Sequence, residues 1–268
     1  MSPGGVWERT TRVVAALGLI TAAAVGAAPS ADAGPHASPV PGVAQVGPLF
    51  GSGLDSPHTC TATVLRSPSK DLILTAAHCI SDDGVGMLFA PAYAGDSTPY
   101  GTWKVVASYV DPRYLASRDP HADVAILQVA KQDIDGRILG VQQVVRGGYR
   151  LGVEAAPGTS TVVTAYNAGL HDQPVSCTTA VTYRQVAGER WPEFDCGGYR
   201  GGSSGSAFTT TGPRTQVVTG VIGGLNAGGC TDAVSYSAPF DATTLALKAR
   251  ANSGGPADVV PRPGPDGC

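Results

Sequence analysis

The chain has 268 residues, of which 43% are hydrophobic and 15% are charged, so it can bury a core and wholesale disorder is excluded. With 36 glycines and 21 prolines it is interrupted too often for a helical bundle, and short strands joined by turns are favoured. A formal net charge of −3 gives no concentrated basic surface, so no nucleic-acid partner is expected.

The N-terminal segment has the order of a secretory signal peptide. Arg9 and Arg12 precede an apolar stretch from Val13 to about Ala28, and Ala31-Asp32-Ala33 then supplies small residues at alternate positions. The apolar stretch is shorter than the roughly 20 residues that a membrane-spanning helix needs. We therefore predict a signal peptide over residues 1–33, and a secreted, extracellular chain that does not associate with a membrane after cleavage.

Residues 34–50 are rich in Pro and Gly and are predicted to form an N-terminal arm or a short pro-segment. Ten runs of β-branched or apolar residues follow, bounded by Gly, Pro, Asp or Ser, and they predict strands. The runs are Thr61–Leu65, Leu72–Thr75, Met87–Ala90, Lys104–Val110, Val124–Val129, Ser160–Ala165, Ala180–Val186, Ala207–Thr210, Gln216–Ile222 and Ala233–Ser237. They form two groups, which predicts two stacked β units over residues 51–140 and 141–251.

The last element is the helix with the clearest end signals. Asp241 can cap its N-terminus, Ala242–Ala249 favour a helix, and Lys248 and Arg250 lie in the last turn, where cations interact favourably with the helix dipole. Residues 252–268 are too rich in Pro and Gly to be expected to pack. We predict that they form a flexible tail.

Six cysteines in an exported chain predict disulfide bonds, since their number is even and the compartment is oxidising. They are Cys60, Cys79, Cys177, Cys196, Cys230 and Cys268. A zinc site from His58, Cys60, His78 and Cys79 is the alternative. Adjacent His78 and Cys79 point in different directions, which makes a shared tetrahedral metal awkward. No metal and no other cofactor is therefore expected.

Three segments carry residues with catalytic chemistry. Leu74–Cys79 brings a histidine to the end of an apolar strand, His121–Leu127 places an aspartate before a buried strand, and Gly201–Ser206 is a Gly-rich loop with serines. Each alone has an ordinary structural explanation. Together, in a secreted β-rich chain, they predict a base, an orienting acid and a nucleophile.

The order of these segments separates the known kinds of serine hydrolase. Gly201-x-Ser203-x-Gly205 matches the nucleophile elbow of α/β-hydrolases, but that fold needs a histidine after the serine. All five histidines precede the loop, at positions 36, 58, 78, 121 and 171. A subtilisin-like order needs an acid before the histidine, and Asp55 and Asp71 lack a suitable context. The remaining order is His, Asp, Ser, as in chymotrypsin-like enzymes.

Leu74-Thr75-Ala76-Ala77-His78-Cys79 resembles the histidine motif of trypsin/chymotrypsin-like serine peptidases. Asp123-Val124-Ala125-Ile126-Leu127 resembles their aspartate motif, and Gly202-Ser203-Ser204-Gly205-Ser206-Ala207 resembles their nucleophile motif. The resemblance covers roughly residues 46–250. It implies an all-β fold of two antiparallel six-stranded β-barrels with a C-terminal helix.

The resemblance assigns roles by matched position. Ser204 would be the nucleophile, because it stands second after Gly202 and directly before Gly205. His78 would take its proton, and Asp123 would hold the histidine tautomer. The backbone N–H groups of Gly202 and Ser204 would form the oxyanion hole. The implied function is a secreted, monomeric serine endopeptidase that cleaves protein or peptide substrates through an acyl-enzyme intermediate.

The resemblance also bears on the disulfide pairs. Cys60–Cys79 is similar to the family's bridge beside the catalytic histidine. The other four cysteines leave three connectivities, of which we favour Cys177–Cys196, with Cys196–Cys230 as the alternative. Cys268 could then pair with Cys230 or outside the chain.

The chain departs from trypsin-like zymogens, which insert a new N-terminus against an Asp just before the nucleophile. Ser203 occupies that position, so the chain resembles bacterial relatives, including the glutamyl-endopeptidase-like branch. That branch has a histidine where this chain has Ile222. Ile222, Gly223, Gly224 and Leu225 are predicted to pair with the substrate backbone and line the pocket. An apolar or small side chain before the scissile bond is therefore expected.

Two other functions fit the same fold. The first is a catalytically silent binding module, and the second is a serine esterase. The presence of all three catalytic residue types argues against the silent module.

Overall fold

The structure of the protein is a computed structural model. It describes residues 1–5, 34–51, 53–169, 171–212, 215–262, 264–265 and 267–268. Residues 6–33 of the predicted signal peptide lie outside the described residues. A compact unit runs from Gly34 to Cys268. Among the described residues, none of the helices is both long enough and apolar enough to cross a bilayer.

Short strands dominate the described chain. In chain order they are β1 Ser38–Pro39, β2 Val46–Phe50, β3 Cys60–Val64, β4 Leu72–Thr75, β5 Leu88–Phe89, β6 Trp103–Val110, β7 Ala125–Val129, β8 Gln132–Ile134, β9 Arg137–Leu139, β10 Arg150–Leu151, β11 Ser160–Ala165, β12 Val175–Ala180, β13 Thr182–Val186, β14 Glu189–Asp195, β15 Ala207–Thr211, β16 Gln216–Val221 and β17 Val234–Tyr236. The helices are α1 Pro112–Ser117, α2 Val141–Val144 and α3 Ala242–Asn252, with 3-10 turns at Ala77–Cys79, Pro120–Ala122 and Leu225–Gly228.

The first half of the unit is a closed barrel with the strand order β2-β3-β4-β7-β6-β5. Every neighbouring pair is antiparallel. Large apolar side chains fill the interior, and Leu49, Phe89, Trp103 and Leu127 are fully buried. Burial of this apolar surface stabilises the barrel that carries two of the candidate catalytic residues.

The barrel begins earlier than the sequence predicts. All five residues of β2 are buried, and the strand pairs with both β3 and β5 to close the barrel. The predicted boundary at residue 51 is therefore wrong, because Gly47 and Pro48 gave this strand the composition of a loop. Gly47 is required here, since a Cβ would lie 2.2 Å from the Ala90 carbonyl oxygen.

The second half consists of a six-stranded sheet, β1-β12-β11-β15-β16-β10, and a three-stranded sheet, β13-β14-β17. Val163, Phe194 and Phe208 belong to its buried core. A further core cluster joins residues of both halves, including Leu74 of the barrel and Val221 of β16. The chymotrypsin-like all-β fold predicted from the sequence is confirmed, and the first predicted six-stranded barrel is closed. Within the described residues the second half forms two sheets instead of one antiparallel barrel, and β10 pairs with β16 in parallel.

The C-terminal helix is also confirmed. The Asp241 carboxylate accepts hydrogen bonds from the N–H groups of Thr243 and Thr244, which satisfies two amides of the first turn. The helix α3 then buries Thr244, Leu247 and Ala251.

The described chain contains three disulfide bonds. They are Cys60–Cys79, Cys177–Cys196 and Cys230–Cys268. The first ties β3 to the 3-10 turn that follows β4. The third ties the C-terminus of the chain to the loop between the last 3-10 turn and β17.

The prediction that residues 252–268 do not pack is wrong. Val260 is only 1% exposed, and its N–H and C=O groups pair with those of Asp82. The Asp258 carboxylate accepts a hydrogen bond of 2.8 Å from the Val110 N–H. A few buried contacts are enough to order a segment of this composition, because proline limits the conformational entropy that the chain loses on folding.

Val260→Ala is expected to lower the free energy of unfolding by about 1–2 kcal/mol, because it removes buried methyl groups at about 0.8 kcal/mol each. Val259, its neighbour, is 74% exposed and supplies the control. Val259→Ala should change the free energy of unfolding by less than about 0.5 kcal/mol. Urea unfolding of both variants measures the difference, and equal effects would mean that the segment is not packed.

Candidate active site

The fold positions His78 by two constraints. The strand β4 is fully buried and leads into a 3-10 turn in which Ala77 is buried and His78 is partly exposed. The next residue, Cys79, is bonded to Cys60 of β3. The imidazole is therefore held at the end of the barrel with 16% of its side chain exposed.

Asp123 lies two residues before β7, directly after the 3-10 turn Pro120–Ala122, and is 2% exposed. Its carboxylate accepts three hydrogen bonds. The His78 amide donates to Oδ1 at 2.9 Å, His78 Nδ1 donates to Oδ2 at 2.7 Å, and the Gly224 amide donates to Oδ2 at 2.8 Å. A buried carboxylate needs such donors to stay ionised.

These contacts set the protonation states. Burial alone would raise the pKa of Asp123, but the attraction of His78 and the three N–H donors outweigh it, so the pKa of this carboxyl lies below its ordinary value. Burial alone would lower the pKa of His78, but Asp123 outweighs it and raises that pKa above its ordinary value. In the neutral imidazole the proton stays on Nδ1, which leaves Nε2 as a base.

The Gly/Ser loop is fixed between two strands. The Thr61 amide of β3 donates to the Ser204 carbonyl at 2.8 Å, and the Gly205 amide donates to the Ile222 carbonyl at 2.8 Å. The Ser204 side chain is thereby presented to a cavity of about 600 Å³ that His78 also lines. The structure thus brings the predicted nucleophile and the predicted base to one cavity.

Two glycines of the loop leave no room for a side chain. Gly202 has a φ of +93°, and a Cβ there would lie 2.2 Å from the Ala168 nitrogen. Gly205 has a φ of +81°, and its Cβ would lie 2.0 Å from Thr75 Oγ1. Within the described chain, the amides of Gly202 and Ser204 donate to no protein acceptor. These two N–H groups are therefore available to an anionic oxygen.

Gly202→Ala is expected to lower the free energy of unfolding by about 1–3 kcal/mol, because the backbone is in the left-handed region and the methyl group meets backbone atoms. Gly201→Ala is the matched control, since a Cβ at that position meets nothing within 4 Å. Thermal unfolding of both variants measures the difference. A Gly202→Ala variant as stable as Gly201→Ala would contradict the tight fit.

The predicted substrate-binding residues divide between two places. Ile222 lines the cavity of Ser204. Gly223 lies against the acid, since a Cβ there would be 2.9 Å from Asp123 Oδ2, and Leu225 lines a second cavity beside His78. The role of the Gly224 amide as a donor to Asp123 has no counterpart in the sequence prediction, because every residue except proline carries an N–H group.

Sequence reasoning also missed part of the cavity wall. The residues concerned are Tyr199, Arg200, Gly228, Thr231, Asp232 and Ser235. Arg200 Nε lies 3.8 Å from Asp232 Oδ2, and both side chains are more than half exposed. They come from separate loops, so only the folded chain reveals the pair.

The zinc alternative does not suit the sulfur atoms. Ligand atoms of Cys60, His78 and Cys79 lie within 4.8 Å of one another. Both sulfurs are joined in a disulfide bond, and zinc requires thiolates. His58, the other candidate ligand, is buried and its Nε2 lies 2.9 Å from Asp172 Oδ2.

Solved structures of several proteases are similar to this chain. The protease Anisep from Arthrobacter nicotinovorans is 21% identical, with a TM-score of 0.67, over 80% of this chain and 98% of that chain. A thermostable serine protease, AL20, from an extremophilic microorganism is 21% identical, with a TM-score of 0.66, over 79% and 98%. A Glu endopeptidase is 18% identical, with a TM-score of 0.60, over 82% and 97%. At these identities the likeness shows the fold.

The sequence itself supports the family. A search of curated proteins finds no significant match. The family model described as Trypsin matches residues 35–245, which is most of the chain and includes all three candidate catalytic motifs. The chain therefore belongs to the trypsin family of serine endopeptidases.

Proposed function

We propose that this chain is a secreted serine endopeptidase in which Ser204 is the nucleophile, His78 the general base and Asp123 the orienting acid. The observation that carries the proposal is the carboxylate of Asp123, which accepts hydrogen bonds from both the amide and Nδ1 of His78. This arrangement fixes the ring and its tautomer beside the cavity that Ser204 lines.

In the first step, Ser204 Oγ forms a bond to the carbonyl carbon of the peptide, and its proton moves to His78 Nε2. The electron pair of the C=O bond moves to oxygen, which becomes an anion. The N–H groups of Gly202 and Ser204 stabilise that anion, and the ionised Asp123 stabilises the imidazolium.

In the second step, the C–N bond breaks as His78 donates its proton to the leaving amine, and an ester of Ser204 remains. A water molecule then attacks the ester carbonyl while His78 takes its proton. This attack gives a tetrahedral intermediate. When the bond between its carbon and Ser204 Oγ breaks, the acid product is released and the proton returns from His78 to Ser204 Oγ. The same three groups thus serve both halves of the reaction.

The pocket favours an apolar or small side chain before the scissile bond, as expected from Ile222. Gly228 and Ser235 also line it and leave the space open. The charges of Arg200 and Asp232 face each other at 3.8 Å, so each reduces the effect of the other on a substrate. Profiling of cleaved peptides tests this, and a tenfold preference for Glu or Arg would contradict it.

Secretion is supported by the signal-like order of residues 1–33 and by three disulfide bonds, which persist in oxidising compartments. We propose that cleavage after about Ala33 releases a monomeric chain beginning near Gly34. N-terminal sequencing of the exported protein checks the position, and a mature chain still beginning near Met1 would contradict it.

Covalent labelling tests the catalytic assignment. A fluorophosphonate reacts with a serine only where a neighbouring base activates it, so the adduct is expected on Ser204. Peptide mapping by mass spectrometry locates the adduct, with protein unfolded in urea as the control. An adduct on Ser203 or Ser206, or no adduct on the folded protein, would contradict the assignment. Digestion of casein by the same preparation separates a peptidase from an esterase.

A further inference from the structure

The end of the chain is anchored on the first barrel. We call residues 258–268, as far as the structure describes them, the C-terminal strap. The Asp258 amide donates to the Ser108 carbonyl at 2.8 Å, and the Asp258 carboxylate forms an ion pair with Arg250. Val260 is buried, and the Arg262 carbonyl accepts a hydrogen bond of 2.7 Å from Arg118 Nε. These contacts fix the direction of the strap.

The far end of the strap is tied to the second half of the chain. Cys268 is bonded to Cys230, two residues after the 3-10 turn Leu225–Gly228. Gly267 comes close to that turn, since a Cβ there would lie 2.9 Å from Asn226 Oδ1. The strap therefore spans from the barrel to the loop that borders the catalytic cavity.

Between its anchors the strap lines a second cavity, of about 410 Å³. Gly264, Pro265 and Gly267 of the strap share this cavity with His78 and Leu225. His78, Asn226 and Ala227 line both this cavity and the one that contains Ser204. The two cavities are therefore neighbours that meet beside the imidazole.

The second cavity is suited to an apolar side chain. Tyr114, Pro120, Leu225 and Pro265 are among its lining residues, and Arg118, which also lines it, donates from Nε to the Arg262 carbonyl. The Asp123 carboxylate also lines it, but its oxygens already accept three N–H groups. Apolar walls favour an apolar ligand, because both surfaces then leave water.

We propose that the C-terminal strap forms one wall of a specificity subsite, which takes an apolar side chain from the second substrate residue before the scissile bond. The inference rests on the proposed function for the direction of the peptide. A peptide with its reacting carbonyl at Ser204 and its backbone along Ile222–Leu225, as the sequence analysis expects, would direct its next side chain toward His78, which lines both cavities.

Binding to an inactive chain tests the strap without catalysis. In the Ser204→Ala background, two peptides that differ only by Leu or Ala at this position are compared by calorimetry. The Leu peptide is expected to bind at least about tenfold more tightly, as is usual for a filled apolar pocket. A chain that ends at Arg262 and carries Cys230→Ser lacks the strap wall but keeps its first anchors. In this shortened chain, the ratio of the affinity for the Leu peptide to the affinity for the Ala peptide should fall severalfold.

Val259→Ser, an exposed position of the same segment that lines neither cavity, is the control and should leave the ratio unchanged. A ratio that also stays unchanged in the shortened chain would overturn the proposal. If the shortened chain does not fold, Pro265→Asp with the disulfide intact replaces it. That variant should weaken binding of the Leu peptide and strengthen binding of a Lys peptide, and no change in either would overturn the proposal.

Different results would contradict the catalytic assignment of Ser204 and the proposal for the C-terminal strap. Absence of a fluorophosphonate adduct on Ser204 in the full chain would contradict the catalytic assignment, while the binding ratio in the Ser204→Ala chain still reports on the strap. In the active chain, the Leu-to-Ala ratio of kcat/KM should follow the ratio of affinities. A working enzyme with no such preference would contradict the strap alone.

Discussion

Replacing Ser204 with alanine is expected to lower kcat by about six orders of magnitude, because no other group can form the acyl-enzyme ester. The residual rate would come from substrate binding and from the two backbone N–H groups, which stay in place. Rates measured with a chromogenic peptide, on protein purified free of wild-type enzyme, check the size of the loss. Melting temperatures should stay similar, since Ser204 is only half-buried.

Ser203→Ala is the matched control for the position of the nucleophile. Ser203 is the adjacent serine, it lines the same cavity, and its amide donates to the Arg200 carbonyl within the loop. We expect this variant to keep most of the activity and to react with a fluorophosphonate. If Ser203→Ala were inactive while Ser204→Ala still cleaved peptides, the alignment of the nucleophile motif would be wrong by one residue.

Local sequence pattern was sufficient for two strands that contain adjacent large apolar residues, Leu72–Leu74 in one and Val162-Val163 in the other. Leu72–Thr75 and Ser160–Ala165 are predicted with the bounds that the structure has. In both, β-branched or apolar residues fill positions that are buried on at least one face, so the local preference and the tertiary contacts agree.

Strands whose composition is polar were missed. Glu189–Asp195 buries Trp191, Pro192 and Phe194, but its remaining residues are charged and at least partly exposed. Val175–Ala180 has no two adjacent large apolar residues and is held by pairing with Ser160–Ala165 on one side and with Ser38–Pro39 on the other. Pairing between distant segments decides these strands, and a single stretch of sequence does not contain that information.

The candidate site divides in the same way. The motifs around His78, Asp123 and Ser204 are contiguous, so the sequence identifies them. The Gly224 amide that donates to Asp123 carries no side-chain signal, and the strap reaches the second cavity only because Cys268 is bonded to Cys230. The backbone donor becomes visible only in the folded chain, whereas the Cys230–Cys268 pair was one of the alternatives that the sequence left open.

Asp123→Asn is expected to lower kcat at neutral pH by about four orders of magnitude, because an amide no longer holds the imidazole in the tautomer that leaves Nε2 as the base. An amide is also uncharged and does not stabilise the imidazolium. Asp133→Asn, an exposed position on β8, is the control and should leave kcat unchanged. A loss of less than tenfold in Asp123→Asn would contradict the role of Asp123.

The pH profile of the same variant separates this role from a structural one. Catalysis needs neutral His78, and Asp123 raises the pKa of this histidine, so wild-type kcat/KM should fall as pH decreases through a pKa above about 6.5. Without the carboxylate only the effect of burial remains, and it lowers the pKa. The acid limb of Asp123→Asn should therefore move to lower pH. A variant that merely unfolds would lose activity at every pH and would leave the limb where it is, so the direction of the shift identifies the electrostatic contact between Asp123 and His78.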